Sequence, residues 1–389
     1  MTHQSHFGMT LIVLLIGIIL TGCTSNNKTK NMAQDFLVYI GTYTSGDSEG
    51  IYLYRLNTAN GELTYLSKTT GIENPSFLAI HPGGKYLYSV SQVRSHSGEI
   101  FAYQIARKTG ELTFLNKQSS EGAGPCHVLV DHSGKWVLAA NYTGGTVSML
   151  PIMEDGSLGP ATDVKKHHGS SVNPDRQKEP HPHSIWVSPD NRFAFVPDLG
   201  MDKIMIYRLD VVNGKLLPND PPFFNSAPGS GPRHFTFHPS GKFAFVISEL
   251  ASTITSMKYD STSGALTKIE TVSTLPAGWT GESYCADIHT SPDGKFVYGS
   301  NRGHNSIAVF SFNEKSEKLS LIECESVQGN WPRNFAIDPS GTFLLAANER
   351  SNNIVTFRID KNSGKLTPTG HQAKVSMPVC LKLIPYAGE

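Results

Sequence analysis

One turn recurs along this chain at intervals of about fifty residues, and it restricts the fold more than any other feature. It reads HPGGKYLYSVS from His81, DHSGKWVLAAN from Asp131, SPDNRFAFVPD from Ser188, HPSGKFAFVIS from His238, SPDGKFVYGSN from Ser291 and DPSGTFLLAAN from Asp338. An apolar strand enters each turn and another leaves it, the pattern of a β-hairpin. A second hairpin follows each first one, as in DKIMIYRLDVVNGKLLP and NNIVTFRIDKNSGKLTPTG, and there are seven second hairpins against six first ones. The two ends of the chain supply the missing piece. FLVYIGTYT (Phe36 to Thr44) matches the second strand of a first hairpin, and MPVCLKLIP (Met377 to Pro385) matches its first strand. Repeats whose terminal halves complete one another describe a closed ring, whereas a solenoid needs capping repeats. The expectation is an all-β, seven-bladed β-propeller of four-stranded blades, the first blade closed by the C-terminal strand. Thirty-six glycines and 23 prolines suit so many turns.

The propeller is expected to occupy residues 36–389. Before it, MTLIVLLIGIIL (Met9 to Leu20) is too short to be a comfortable transmembrane helix and ends in Leu20-Thr21-Gly22-Cys23. That ending resembles a bacterial lipobox, which implies a signal peptide over 1–23, acylation of Cys23 and a polar tether over 24–35. The expected location is the cell envelope, lipid-anchored on the periplasmic or surface face. The segment MTHQSHFG lacks the usual Lys or Arg, so a cytoplasmic protein with a non-functional signal is the alternative. Lys plus Arg equals Asp plus Glu at 33 each, which gives no basis for a nucleic-acid partner and leaves the lipid anchor as the only membrane contact. Cys126, Cys285, Cys324 and Cys380 sit in apolar strands without zinc-site spacing and read as buried free thiols.

Aligning the units on the turn turns the repeats into rings. Nine residues before the turn glycine stand Pro75, Pro125, Pro182, Pro232, Cys285 and Pro332, joined by Pro378. Proline suits a strand entry, where an amide would have no partner. The next ring varies: Ser76, Cys126, His183, Arg233, Ala286, Arg333 and Val379. On the returning strand, Thr42, Ser91, Asn141, Asp198, Ser248, Asn301 and Asn348 are all small and polar, which suits a repeated bond to backbone. After them comes a second varied ring: Tyr43, Gln92, Tyr142, Leu199, Glu249, Arg302 and Glu349. Antiparallel pairing puts both varied rings at one mouth of the channel. Its charged side carries His183, Arg233, Glu249, Arg302, Arg333 and Glu349, with His181 and His234 adjacent, and fits a small anionic substrate. Arg176, in the insertion VNPDRQKEPHPHS, is positioned to fold over that mouth, while His167 and His168 read as solvated. His81, His132 and His238 belong to polar turns on the opposite face.

YIGTYT, PDRQKEPHPHS, VPDLGMDKI, GSGPRHFTFHPSGKFAFVISEL, SPDGKFVYGSNRGHNSIAVF and WPRNFAIDPSGTFLLAANERSNNIVTF, in that order, resemble the propeller lactonase family. That family includes bacterial 6-phosphogluconolactonases of propeller type and fungal carboxymuconate lactonizing enzymes. The resemblance runs from Phe36 to Pro385 and implies functional residues at His183, Arg233, Glu249 and Arg302. It implies a lactonase of carbohydrate metabolism acting on a small anionic lactone, most like 6-phosphogluconolactone. Glu249 is then expected to be the base on water, His183 an alternative base or the acid, and Arg233 and Arg302 the groups on the oxyanion and the substrate anion. His181, His234, Arg333, Glu349, Asp198 and Arg176 are the expected substrate-binding residues. No cofactor or metal is required; an oxygen-rich divalent site of Glu249, Asp198, Asn301 and Glu349 is an alternative. A muconate-type lyase and a non-catalytic, surface-anchored binding propeller are the competing functions.

Overall fold

A computed structural model describes residues 1–4 and 34–387. Residues 5–33, which include Cys23, most of the expected leader and the tether up to Ala33, lie outside the described residues. Among the described residues there are 28 strands and no helix, arranged as seven four-stranded sheets. Blades 2 to 7 take consecutive strands, over 78–123, 125–166, 186–225, 232–273, 284–326 and 332–374. Blade 1 has the order Pro378–Pro385, Phe36–Thr42, Gly50–Leu56, Leu63–Thr70, so its innermost strand comes from the other end of the chain. Phe36 pairs with Pro385 and Thr42 with Pro378 in that closing ladder.

Burial follows position in the blade. The second strands, such as Phe243–Ser248 and Phe343–Asn348, are buried at every residue because a neighbouring blade covers each face. An outermost strand such as Leu63–Thr70 is largely exposed or half-buried. Apolar cores form between adjacent blades, as where Phe195 of blade 4 stacks on Phe235 of blade 5 at 5.4 Å.

The recurring turn needs a residue at positive φ, and Asn191 (60°) fills the place taken by Gly134 (70°) and Gly241 (69°). Turn histidines bind more than their own loops. His81 Nε2 contacts the Gly134 carbonyl of the next blade at 3.0 Å, and His238 Nε2 contacts that of Gly294 at 2.9 Å. The small polar ring bonds to backbone: Asn141 Nδ2 donates to the Ser120 carbonyl and Asn301 Nδ2 to that of Thr274. Cys126, Cys285 and Cys380 are buried free thiols, and Cys324 is free and half-buried.

Candidate active site

A β-bulge in the innermost strands builds the mouth. Pro232 pairs with Ser248 and His234 with Ile247, so Arg233 has no partner across the ladder. The same slip falls at Cys126 and Arg333. In blade 6 the irregularity runs from Cys285 to Ile288. A bulge re-aims the side chain it carries, and Cys126 and Arg333 line a cavity of ≈ 540 Å³ at the mouth, with Arg233 bonded into its wall. Tyr142, His183, Glu249 and Arg302 complete its centre.

Glu249 is the hub. Its Oε1 accepts from Arg176 Nη2 at 2.7 Å, and its Oε2 lies 3.0 Å from Arg233 Nε and 2.8 Å from Arg302 Nη2. Burial opposes ionisation of this carboxyl, yet the guanidiniums of Arg302, Arg233 and Arg176 outweigh it and hold its pKa far below the carboxylate range. Burial, with Arg302 and Arg333 nearby, pushes Arg233 down to about 9, still protonated at neutral pH. Burial and the surrounding arginines also keep His183 well below the ordinary imidazole value, hence neutral. Burial raises the Cys126 thiol, 3.9 Å from His183 Nδ1, to about 12, so no thiolate nucleophile is present.

Arg176 does reach over the mouth. Gln177 pins its insertion by donating to the Leu199 carbonyl at 2.8 Å, and Arg176 also contacts the Tyr142 hydroxyl at 3.3 Å. Arg333 lies 3.9 Å from Glu349 and over the Tyr43 ring. His181 is not in the cavity wall; it stacks flat on Tyr142 at 4.3 Å and holds that ring.

Two candidates stand elsewhere. Asp198 is wholly buried and spends its oxygens on the amides of His181 and Gly200 and on His167 Nδ1, 2.7 Å away. That bond, with Tyr207 on Nε2, explains why His167 is buried rather than solvated. His234 lies beneath the mouth, its Nδ1 2.7 Å from Asp287 Oδ1. Its ring approaches His127 of blade 3 at 5.7 Å, and side chains of non-adjacent blades meet only near the propeller axis. Nor are the four oxygen ligands of the alternative metal site brought together: Glu249 is spent on arginines, Asp198 on amides and His167, and Asn301 Oδ1 on Thr274. Among the described residues no cluster of three or more His, Cys, Asp or Glu is arranged to hold a metal.

Sequence reasoning missed Arg94, Tyr284 and Trp331, which also line the cavity. Tyr284 and Trp331 immediately precede the ring of Pro75, Pro125 and their equivalents, and reading the repeats one place earlier would have found them. Arg94 lies within a non-repeating loop between the strands Tyr86–Ser91 and Ser97–Ile105 and carries no such signal.

Comparison with known proteins now decides the family. Residues 37–383 match the family described as Lactonase, 7-bladed beta-propeller. The chain belongs to the seven-bladed β-propeller lactonases. Among propeller lactonases and their relatives, a Bacillus subtilis protein named 6-phosphogluconolactonase is 41% identical over 349 residues, covering 90% of this chain and 98% of that protein. A Formosa agariphila protein of the same name is 38% identical, covering 77% of this chain and 86% of its own length. The structure of the Pseudomonas aeruginosa periplasmic gluconolactonase matches with a TM-score of 0.86 at 33% identity, covering 90% of this chain and 99% of that one.

Proposed function

We propose that this lactonase hydrolyses the ring ester of a sugar lactone bearing an anionic group, a 6-phosphogluconolactone-like substrate, in the mouth cavity. Charge is the observation that carries the reading. Arg94, Arg176, Arg302 and Arg333 line the cavity with Glu249 as the one carboxylate among its lining residues, a surplus of three positive charges. Relatives named for 6-phosphogluconolactone and gluconolactone support the substrate class.

In this mechanism Glu249 takes a proton from the attacking water. The tetrahedral oxyanion forms against Arg233 and Arg302, and Glu249 returns the proton to the ring oxygen as the ester C–O bond breaks. Clamped by three guanidiniums, Glu249 is too weak a base at rest. Arg176 is the releasable clamp, being 37% exposed and carried on the insertion. A substrate anion that captures Arg176 removes one cation from Glu249 and raises its basicity only when substrate is bound. Neutral His183 accepts a hydrogen bond from the water; it is a poor acid, because a neutral imidazole that donates its proton becomes an imidazolate. Arg94 and Arg333 hold the substrate anion, His181 acts through Tyr142, and Asp198 steadies the strand end beside the insertion. On this reading Arg176→Ala raises KM for 6-phosphogluconolactone about tenfold, and for glucono-lactone much less. Equal effects on both, after subtraction of spontaneous opening, sink the anion-capture step.

The lipid anchor at Cys23 belongs to the same proposal, and the periplasmic relative supports an envelope location. Labelling of cells with a clickable fatty acid is expected to mark the wild type and not Cys23→Ala; label on both rules the anchor out.

A further inference from the structure

The residue just before the ring of Pro75, Pro125 and their equivalents is Asn74, Gly124, His181, Gly231, Tyr284, Trp331 or Met377, according to the blade. Five of these have positive φ: Asn74 (45°), Gly124 (61°), Gly231 (63°), Trp331 (68°) and Met377 (46°). Glycine occupies that conformation freely, and asparagine tolerates it. A tryptophan there is strained, at the backbone angle that two other blades assign to glycine. Local strain of this kind persists where the surroundings hold it, and it gathers at functional sites.

The surroundings do hold it. The Trp331 amide donates to Asn305 Oδ1 at 2.9 Å, and its carbonyl accepts from the Glu349 amide at 3.0 Å. The Arg350 guanidinium lies against the indole, 3.4 Å from its centroid, so one face is covered from outside. The Arg302 guanidinium stands 5.5 Å from the same ring, and the Tyr284 ring is 6.3 Å away. The half-buried indole and Tyr284 together line the cavity that contains Glu249. The two rings are inclined at 58° to one another, so the indole stands as an aromatic wall beside the arginine that meets the carboxylate hub, with the Tyr284 ring closing a corner.

We propose that Trp331 is a specificity-determining residue: its indole is the platform against which the carbon–hydrogen face of a cyclic sugar lies, with the inclined Tyr284 ring at its side, turning the lactone carbonyl toward Arg302 and Glu249. The assignment rests on the reading of the cavity as a sugar-lactone site. It separates two kinds of recognition. The arginines select charge, and the indole selects a ring. An acyclic or inorganic anion uses the first and gains nothing from the second.

Trp331→Gly tests this because it places the residue favoured at that φ and removes the wall. Glucose 6-phosphate serves as a ring probe that cannot be hydrolysed as a lactone, and inorganic phosphate as an anion without a ring. Calorimetric titration of the full protein is expected to show glucose 6-phosphate weakened about tenfold by Trp331→Gly, inorganic phosphate changed less than about twofold, and Trp331→Phe recovering most of the loss. The Tm of Trp331→Gly should hold or rise as the strained angle is relieved. Equal weakening of both probes, a marked fall in Tm without ring selectivity, or a wild type that fails to bind glucose 6-phosphate overturns the platform. A wild type that opens no lactone sinks the functional reading instead, and the two probes still report on the ring preference of Trp331.

Discussion

Arg233 and His234 are neighbours on one strand, yet they belong to regions built on opposite terms. At the mouth, Arg233, Arg176 and Arg302 converge on one carboxylate, and positive charge is left over. At the waist below, Asp287 is matched on all sides. It takes His234 Nδ1 at 2.7 Å, His289 Nε2 at 3.0 Å, the Asn334 side-chain amide and the backbone amides of Ile288 and Phe335. These partners span blades 5, 6 and 7, so the waist network ties the ring together, whereas the mouth is left short of negative charge for a ligand to supply. The bulge after Pro232 separates the two by a single residue.

The contrast predicts that variants sort by region. Glu249→Gln should lower lactone hydrolysis on the order of a thousandfold while the protein stays folded, because a general base is removed. Far-UV circular dichroism beside kinetics checks this, and unchanged rates would move the chemistry away from the hub. Asp287→Ala should do the reverse: about 3–5 kcal/mol of stability lost in denaturant melts, as expected when one partner of a buried ionic network is deleted, with folded molecules still turning over. If turnover disappears while stability holds, the waist is part of the reaction and the division fails.

A pH titration sharpens the same division. Burial, with Arg233 adding to it, lowers His234 to about 4 despite the opposing pull of Asp287. Between pH 6.5 and about 4 the unfolded chain therefore binds a proton that the folded one refuses, and stability falls as pH falls through that window. The shift corresponds to about 3 kcal/mol, and His234→Gln should make the dependence shallower, while His183 and His127, which burial also holds well below the ordinary imidazole value, keep their share. An identical pH profile in that variant would assign the effect to other groups. The smallest effect is expected farthest from both regions. His238→Ala removes the bond to the Gly294 carbonyl and the packing on Phe312 that join blades 5 and 6, and should cost about 1–2 kcal/mol without touching KM.

The repeats made the ring closure legible, because a turn at fixed spacing with complementary ends admits few other folds. Antiparallel pairing made the meeting of Arg233 and Glu249 legible, and the alignment of the repeats into rings put Arg302 at the same mouth. The depth of a side chain was not legible. A one-residue bulge decides that Arg233 meets the mouth and His234 the waist, and nothing in Pro-Arg-His announces it. His167 was unreadable for a related reason, since its partner Asp198 lies 31 residues away and looked like one more member of the small polar ring. Arg94 occurs once, without equivalents in other blades to mark it, whereas Asp287 holds the place of His127, His234 and Asn334 in the aligned repeats and its role shows only when those side chains meet.

Ring opening of anionic sugar lactones is the chemistry proposed for the mouth. Its most direct test is the rate of 6-phosphogluconolactone ring opening by the purified protein at fixed pH, followed as acid release above the spontaneous rate. Catalysed opening is expected to exceed that of glucono-lactone and to be lost in Glu249→Gln. Tight binding of 6-phosphogluconate with no acceleration of either lactone would contradict it and leave the propeller a binding protein.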